Sequence, residues 1–143
     1  MARAKEVFMK TILLADDDAA IRQTLGQVLT QEHYDVVFAA TGREAAAKFM
    51  SHLPDLVLLD IGMPDRDGWD TFDLMNSTHP QVPVVMITAQ PDQHESAVNL
   101  GVAALMEKPL DVPLLLSTIR YFLQDPQPGQ LSPVPVANTN KMR

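Results

Sequence analysis

Short apolar runs alternate with amphipathic stretches along this 143-residue chain, and the alternation limits the folds that it can adopt. The runs at Thr11–Ala15, 56–59 and 82–87 are continuously apolar, as is typical of strands buried on both faces. Two further runs, Asp35–Ala39 and 103–106, complete a set of five predicted strands. Strands that alternate with helices favour a parallel α/β sheet, because each crossover helix returns the chain across the sheet.

Helices are predicted between the strands, because apolar side chains recur there three or four positions apart. The three clearest stripes are Ile21, Leu25, Val28 and Leu29; Ala46, Phe49, Met50 and Leu53; and Leu115, Ile119 and Phe122. Thr41 and Glu44 form a capping box that predicts the start of the second helix, and Asp111 is a predicted N-cap of the last. The weakest helical pattern covers residues 92–100, and Gly101 is expected to end it.

The length and the distribution of these patterns predict a single domain at residues 10–124, preceded by an extension at residues 1–9. Residues 125–143 hold four prolines and no apolar periodicity, so we interpret them as a linker or a disordered tail. No apolar stretch approaches the roughly 18 residues that span a bilayer, and the first residues lack the apolar segment of a secretory signal. Because the chain also has no cysteine, we expect a cytoplasmic protein that does not associate with membranes.

The charge of the chain argues against one class of partner. Its formal net charge is −7, and its 11 lysines and arginines are scattered along the sequence. A nucleic-acid-binding surface needs clustered basic residues. We therefore expect no direct binding of nucleic acid by this chain.

Side chains capable of phosphate chemistry stand where four of the predicted strands end. Asp16 and Asp17 follow the first run, Asp60 the third, Thr88 the fourth and Lys108 the fifth. Open α/β sheets bind ligands beyond the carboxyl ends of their strands, at the point where strand order reverses. We therefore expect these five side chains to share one crevice at that edge.

Carboxylates gathered in one crevice need a compensating positive charge. At about 4 Å and an effective dielectric near 20, each like-charged pair repels by roughly 4 kcal/mol. Mg²⁺ and Lys108 are the two candidates, since Mg²⁺ prefers oxygen ligands whereas zinc would need the His or Cys that these strand ends lack. With Thr88 as a hydroxyl donor the set suits phosphoryl transfer, and Asp60 is the candidate nucleophile because it lies between the acidic pair and Thr88.

The segments that carry these residues resemble the motifs of response-regulator receiver domains. They are residues 13–18, 58–68, 87–89 and 108–109, and they occur in the family's order and at its usual spacing. The resemblance covers roughly residues 10–123. It implies a flavodoxin-like fold, in which a doubly wound sheet of five parallel strands in the order 2-1-3-4-5 has helices on both faces.

The resemblance also implies a function. Asp60 would accept a phosphoryl group from a phosphohistidine on a sensor histidine kinase or histidine phosphotransfer protein, while Thr88 and Lys108 hold oxygens of the phosphate. A receiver of this kind assists its own phosphorylation and dephosphorylation and is not a turnover enzyme. The added charge changes the protein's contacts with its partners.

Further implications of the resemblance concern the metal and the lifetime of the phosphate. Asp17, Asp60 and the backbone carbonyl of Gly62 would bind Mg²⁺, with Asp16 acting mainly through water. Relatives tune dephosphorylation through the side chains at the positions of Gly62 and Gln90. A glycine leaves the approach of water open, so we expect no unusually long-lived phosphoryl group. The bond between Lys108 and the following proline would be cis, as is usual in the family.

The sequence departs from the family pattern at the switch surface formed by the fourth helix, the fifth strand and the fifth helix. Relatives commonly have an aromatic residue three positions before the lysine, where this chain has Leu105. The last helix also lacks the arginine-rich ending of the winged-helix subfamily, with only Arg120 as a basic residue. An output domain, a separate protein target and a phosphorylation-dependent homodimer therefore all stay open.

Three competing interpretations accompany this resemblance. Asp16 and Asp18 fit the D-x-D of haloacid-dehalogenase-type phosphatases, but Ala20 stands where that motif has Thr or Val. A receiver-like interaction module that no longer takes phosphate is the second. Residues 16–18 could also merely cap the first helix.

Residues 65–67 are interpreted as a solvated turn that ends at Gly68.

Overall fold

The computed structural model describes residues 9–63, 65, 68–89 and 101–123. In chain order, the strands and helices within them are β1 (Thr11–Ala15), α1 (Ala19–Gln31), β2 (Asp35–Ala39), α2 (Gly42–His52), β3 (Leu56–Asp60), α3 (Gly68–Thr78), β4 (Val84–Thr88), β5 (Ala104–Glu107) and α4 (Val112–Leu123). The predicted helix at 92–100, the predicted tail at 125–143 and residues 1–8 of the predicted extension lie outside the described residues.

All five strands are parallel and hydrogen-bond in the order β2-β1-β3-β4-β5, which confirms the predicted fold class. β1 has β2 on one side and β3 on the other, so the strand order reverses at β1. In open sheets this reversal leaves a crevice at the carboxyl ends of the two central strands. The fold therefore creates a crevice between the ends of β1 and β3.

Alternate side chains of the sheet pack into two separate cores. One face carries Leu13, Val57, Leu59 and Met86, which pack with Phe49 of α2 and Phe72 and Met75 of α3. The opposite face carries Ile12, Leu14, Leu58 and Ile87, which pack with Leu25 and Leu29 of α1 and Leu115 and Ile119 of α4. Helices thus cover both faces, and this explains why the central strands are apolar at every position.

Three predicted strands differ from the observed ones at their ends. β3 ends one residue beyond the predicted 56–59, and β5 is displaced by one residue from the predicted 103–106. β4 begins two residues later and ends one residue later than the predicted 82–87. The reason is the register, because Asp60 pairs with Ile87 and Thr88 pairs with Glu107. Asp60 and Thr88 are therefore the last residues of their strands and lie inside the sheet rather than after it.

The predicted apolar stripe of α2 is only half correct. Ala46 and Phe49 are buried as expected, whereas Met50 and Leu53 are 44% and 54% exposed. The buried face instead runs through Gly42, Ala45, Ala46 and Phe49. Leu53 follows the helix as its C-cap, in a left-handed conformation with a φ of 48°.

The helix starts agree with their predicted caps. The Thr41 Oγ1 atom accepts a hydrogen bond from the Glu44 N–H at 3.1 Å, and Asp111 Oδ1 accepts one from the Leu114 N–H at 3.1 Å. The Glu44 carboxylate reaches back to the N–H of Ala40 at 2.7 Å. Among the described residues, no helix combines the length and the hydropathy that a membrane span requires.

Candidate functional site

Three carboxylates meet at the point where the strand order reverses. Asp16 and Asp17 directly follow β1, and Asp60 ends β3, the neighbouring strand. One carboxylate oxygen from each of the three lies within 4.8 Å of the others. Asp16 is fully buried and Asp60 is 4% exposed, whereas Asp17 is exposed. The acidic cluster is therefore anchored in the protein on one side and open to solvent on the other.

Lys108 brings a positive charge to this cluster. Its Nζ atom lies 3.3 Å from Oδ2 of Asp16 and 3.3 Å from Oδ2 of Asp60, to which it donates a hydrogen bond. β5 is two strands away from β3, a distance of roughly 10 Å that a long lysine side chain can span. The Lys108 N–H donates to the carbonyl of Thr88 at 2.8 Å, and the bond to Pro109 is cis.

The charges in this site shift two pKa values. Burial raises the pKa of Asp60, a hydrogen bond from the Gly62 N–H opposes the rise, and the charge of Asp16 adds to it, so the net shift is upward. Burial works to lower the pKa of Lys108, but the charges of Asp60 and Asp16 outweigh it, and that pKa also rises. The Lys108 ammonium is therefore charged at neutral pH, whereas burial makes the ionised form of Asp60 less favourable than it would be in water.

Thr88 completes the row of strand ends. It is the last residue of β4, which lies between β3 and β5, and it is 2% exposed. Its register partner on β5 is Glu107, the residue before Lys108. The structure thus brings Asp16, Asp17, Asp60 and Lys108 together and places Thr88 at the adjacent strand end.

The donor set fits a hard divalent cation. It consists of oxygens alone, which suits Mg²⁺. The Oδ2 atom of Asp16 is buried, and its described neighbour is the Lys108 ammonium at 3.3 Å, which does not meet the geometry of a hydrogen bond to it. A buried carboxylate oxygen needs a partner, and a metal-bound water supplies one. The geometry of this oxygen therefore favours a hydrated cation in the acidic cluster.

Gly62 lies at the open side of the site. Its N–H donates to Oδ1 of Asp60 at 3.0 Å, and the residue is exposed. A Cβ atom added at Gly62 would have Asp60 Oδ1 as its nearest neighbour, at 3.8 Å. No side chain at position 62 therefore obstructs the approach to the Asp60 carboxylate.

Asp18 has a different role from the two aspartates before it. Its exposed carboxylate caps α1, accepting hydrogen bonds from Ala20 N at 2.9 Å and Ile21 N at 3.4 Å. Its N–H in turn donates to Asp16 Oδ1 at 2.9 Å. The capping interpretation is thus correct for Asp18 alone. Asp18 does not belong to the cluster formed by the carboxylates of Asp16, Asp17 and Asp60.

Sequence reasoning missed two residues that hold the loops of the site. The Arg22 guanidinium donates to the carbonyl of Asp16 at 2.7 Å, which fixes the turn after β1. Asp65, predicted to lie in a solvated turn, is exposed but accepts hydrogen bonds from Gly42 N at 2.7 Å and Arg43 N at 3.1 Å. The Gly42 hydrogen bond, helped by the one from Arg43, holds the pKa of Asp65 below its usual value. Residues 66 and 67 of the predicted turn lie outside the described residues.

Comparison with protein families gives a match over most of the chain. The model of the response regulator receiver domain family matches residues 12–120. The transcriptional regulatory protein PdtaR of Mycobacterium tuberculosis is 37% identical over 113 residues, which is 77% of this chain and 55% of that protein. The chain spans about half the length of the curated relatives it matches.

Solved structures show the same similarity. A CheY-like receiver domain protein from Methanospirillum hungatei has a TM-score of 0.77 and 33% identity, over 80% of this chain and 94% of that one. TrrA from Thermotoga maritima, solved in complex with Mg²⁺ and BeF, has a TM-score of 0.75 and 29% identity, over 80% and 100%. The strand order observed here is thus shared with CheY-like proteins.

Proposed function

The chain belongs to the response regulator receiver domain family, and we propose that it is a phosphoryl-accepting signalling switch in which Asp60 is the acceptor. The observation that carries this proposal is the meeting of the Asp60 carboxylate with two further carboxylates and the Lys108 ammonium at one open sheet edge. An ion pair made only for stability would not need two additional acidic groups beside it. A site that binds a cation and a phosphoryl group would explain why the three carboxylates and the ammonium lie together.

The proposed step is an in-line transfer from a phosphohistidine. An oxygen of the Asp60 carboxylate attacks phosphorus and forms a P–O bond, while the P–N bond breaks and its electron pair returns to the imidazole. When bound, Mg²⁺ supplies positive charge that neutralises the phosphoryl oxygens. Lys108 supplies a second positive charge, and it is already held 3.3 Å from Asp60.

We propose that the metal ligands are Asp17, Asp60 and the backbone carbonyl of Gly62, with Asp16 acting through a bound water. The exposure of Asp17 and the full burial of Asp16 support this division between the two residues that follow β1. Thr88 is proposed to donate a hydrogen bond to a phosphoryl oxygen from its strand end. Because position 62 presents no side chain to the site, water can reach the aspartyl phosphate. A phosphoryl group that persisted for many hours at neutral pH would contradict this part of the proposal.

The proposed phosphodonor is a sensor histidine kinase or a histidine phosphotransfer protein. A cleft beside the site supports a helical partner, since it is mainly apolar and lies between α1 and the connection from β5 to α4. Its lining includes Ile21, Leu25, Lys108, Pro109, Leu110 and Val112. An amphipathic helix that packs in such a cleft can carry its histidine over the adjacent Asp60.

The output is proposed to be a change in protein–protein contacts, since phosphorylation adds about −1.5 to −2 charges at one sheet edge. Leu105 is fully buried in the core on the α2 and α3 side of the sheet, so an aromatic ring that turns inward is not part of the proposed switch. The phosphorylated protein could act on a separate target protein, on a second copy of itself as a homodimer, or on an output domain.

The proposed division of the chain is an extension at residues 1–9, a receiver at 10–124, and a linker or tail at 125–143. The proposed location of the protein is the cytoplasm.

Stoichiometric labelling tests the proposal. The wild-type protein with MgCl₂ and acetyl phosphate should gain one phosphoryl group per chain, detected by mass spectrometry of the intact protein. Asp60→Asn should abolish labelling, whereas Asp73→Asn, at an exposed position of α3, should label normally. Full labelling of Asp60→Asn would refute the acceptor. Steady turnover of a phosphomonoester would instead favour a phosphatase, and indifference to Mg²⁺ with beryllofluoride would favour a module that takes no phosphate.

A further inference from the structure

The Asp65 carboxylate joins two segments that are far apart in sequence. Its Oδ1 atom accepts the Gly42 N–H and its Oδ2 atom accepts the Arg43 N–H, at the start of α2. The first N–H groups of a helix have no partner within the helix, and the Thr41 side chain accepts only that of Glu44. Asp65 therefore supplies, from the loop after β3, two hydrogen bonds that α2 cannot supply itself.

The loop that Asp65 anchors is the one that follows Asp60. Gly62 is tied at its N–H to Asp60 Oδ1, and the side chain of Met63 is 4% exposed within the core. On the other side, the Gly68 N–H donates to the carbonyl of Ile61 at 3.2 Å. The Asp65 carboxylate attaches this loop to the first residues of α2 by hydrogen bonds. Without it, the described contacts of the loop are to β3, to the core and to the start of α3.

We propose that Asp65 is a positioning residue, which holds the loop after β3 so that the Gly62 carbonyl can bind the divalent cation. The inference rests on the proposed function. Mg²⁺ requires near-ideal octahedral geometry, so a small displacement of one protein ligand weakens its binding. Asp65 itself does not belong to the cluster of three carboxylates that could hold the cation.

Two simpler effects of Asp65 must be separated from this role. As a cap, it stabilises α2, and its removal would lower the melting temperature without changing Mg²⁺ affinity. As one more negative charge near the site, it would attract any cation. Asp73 provides the control for charge, because it is exposed and lines the same groove between α2 and α3 as Asp65.

The experiment is a titration of the isotope-labelled full chain with MgCl₂, monitored by the amide resonances of Gly62 and the residues of α2. The variants are Asp65→Ala, Asp65→Asn and Asp73→Asn. Asp65→Ala should raise the Kd for Mg²⁺ roughly tenfold, at the lower end of what losing an outer partner of a metal ligand costs. Asp65→Asn keeps one oxygen acceptor and should give a smaller increase, whereas Asp73→Asn should stay near the wild-type Kd. If Asp65→Ala does not fold, the comparison of the two Asn variants, which remove the same charge, decides the question.

The outcomes separate this inference from the function on which it rests. If the wild-type protein binds Mg²⁺ and both Asp65 variants match Asp73→Asn, the positioning role is overturned and the metal site stands. If the wild-type protein shows no Mg²⁺-dependent shifts, the metal site is overturned, and the role of Asp65 is overturned with it. A rise in Kd confined to the Asp65 variants, with the Gly62 amide displaced before Mg²⁺ is added, supports the inference.

Discussion

Lys108 holds its ammonium 3.3 Å from the Oδ2 atom of Asp60, although 48 residues separate the two in the sequence. The same ammonium lies 3.3 Å from Oδ2 of Asp16, so one cation faces two buried carboxylates. Buried charges are tolerated only when they are paired. Lys108 is therefore the group that keeps this acidic edge of the sheet stable when no metal is bound.

Replacing Lys108 should destabilise the metal-free protein. Lys108→Ala leaves Asp16 and Asp60 without their positive partner, and we expect a loss of about 1–2 kcal/mol. This is below the usual cost of breaking a buried ion pair, because the side chain of Lys108 is 25% exposed to screening solvent. Urea unfolding in EDTA measures the loss. Lys10→Ala, at an exposed position, should change the stability much less, and equal effects would contradict the pairing role.

Lys108→Ala should also accept a phosphoryl group without the conformational response that follows it in the wild-type protein. The Asp60 nucleophile is intact in Lys108→Ala, so acetyl phosphate with MgCl₂ should still label it, but to a lower extent. Without the ammonium to hold a phosphoryl oxygen, beryllofluoride should no longer produce the amide-shift changes that we expect in the wild-type protein. A variant that labels and responds like the wild type would show that Lys108 is only a structural residue.

The positions of the site residues could be predicted because they depend on the sheet alone. Once residues 11–15, 56–59, 82–87 and 103–106 are identified as parallel strands, their carboxyl ends share an edge of the sheet, where the long side chain of Lys108 can reach Asp60. The register of the strand ends could not be predicted, since it depends on which residues pair. Asp60 and Thr88 proved to lie within their strands for this reason.

The sequence patterns did not predict contacts between residues that are far apart in the chain. Asp65 reaches Gly42 across 23 residues, and nothing in the spacing of the chain connects them. Likewise, Met50 and Leu53 continue an apolar period that the packing of α2 does not use, because the helix ends at His52 and its buried face follows Ala45 and Phe49. Periodicity identifies a helix, but the tertiary contacts decide which of two neighbouring stripes is buried.

Mg²⁺ should stabilise the folded protein. A ligand that binds only the native state adds about 1.4 kcal/mol when its concentration is ten times its Kd, and here it also relieves carboxylate repulsion. Thermal melts over a series of MgCl₂ concentrations should show a rising melting temperature, compared with NaCl at equal ionic strength. Asp17→Asn, which removes the exposed carboxylate of the cluster, should weaken the response. A melting temperature indifferent to millimolar Mg²⁺ would count against the metal site.

Gly68 and Gly62 should tolerate a methyl group very differently. A Cβ atom at Gly68 would lie 2.6 Å from the Cα and 2.9 Å from the carbonyl oxygen of Ile61, and backbone atoms cannot move aside cheaply. Gly68→Ala should therefore destabilise the protein by about 1–3 kcal/mol. In Gly62→Ala, in the loop between β3 and α3, the added Cβ would have its nearest neighbour at 3.8 Å, so the substitution should cost little stability. Chemical unfolding of both variants measures the difference, and equal losses would mean that α3 does not pack on Ile61 as described.

The raised pKa of Asp60 makes its contribution to stability depend on pH in a predictable direction. Below the unfolded value of 3.8, the carboxyl is protonated in both states and carries no penalty. As the pH rises through the higher folded pKa, the buried carboxyl of Asp60 ionises in the native state. The wild-type protein then loses stability relative to a variant with a neutral side chain at this position. Asp60→Asn does not titrate at this position, so its melting temperature in EDTA should exceed that of the wild type by a margin that grows as the pH rises from 3.8 through the higher folded pKa. Mg²⁺ should shrink the margin at neutral pH, because it offsets the charge of ionised Asp60 in the wild type alone. A margin that narrowed with rising pH in EDTA would mean that Lys108 and the Gly62 N–H outweigh burial, and that the folded pKa of Asp60 lies below its unfolded value.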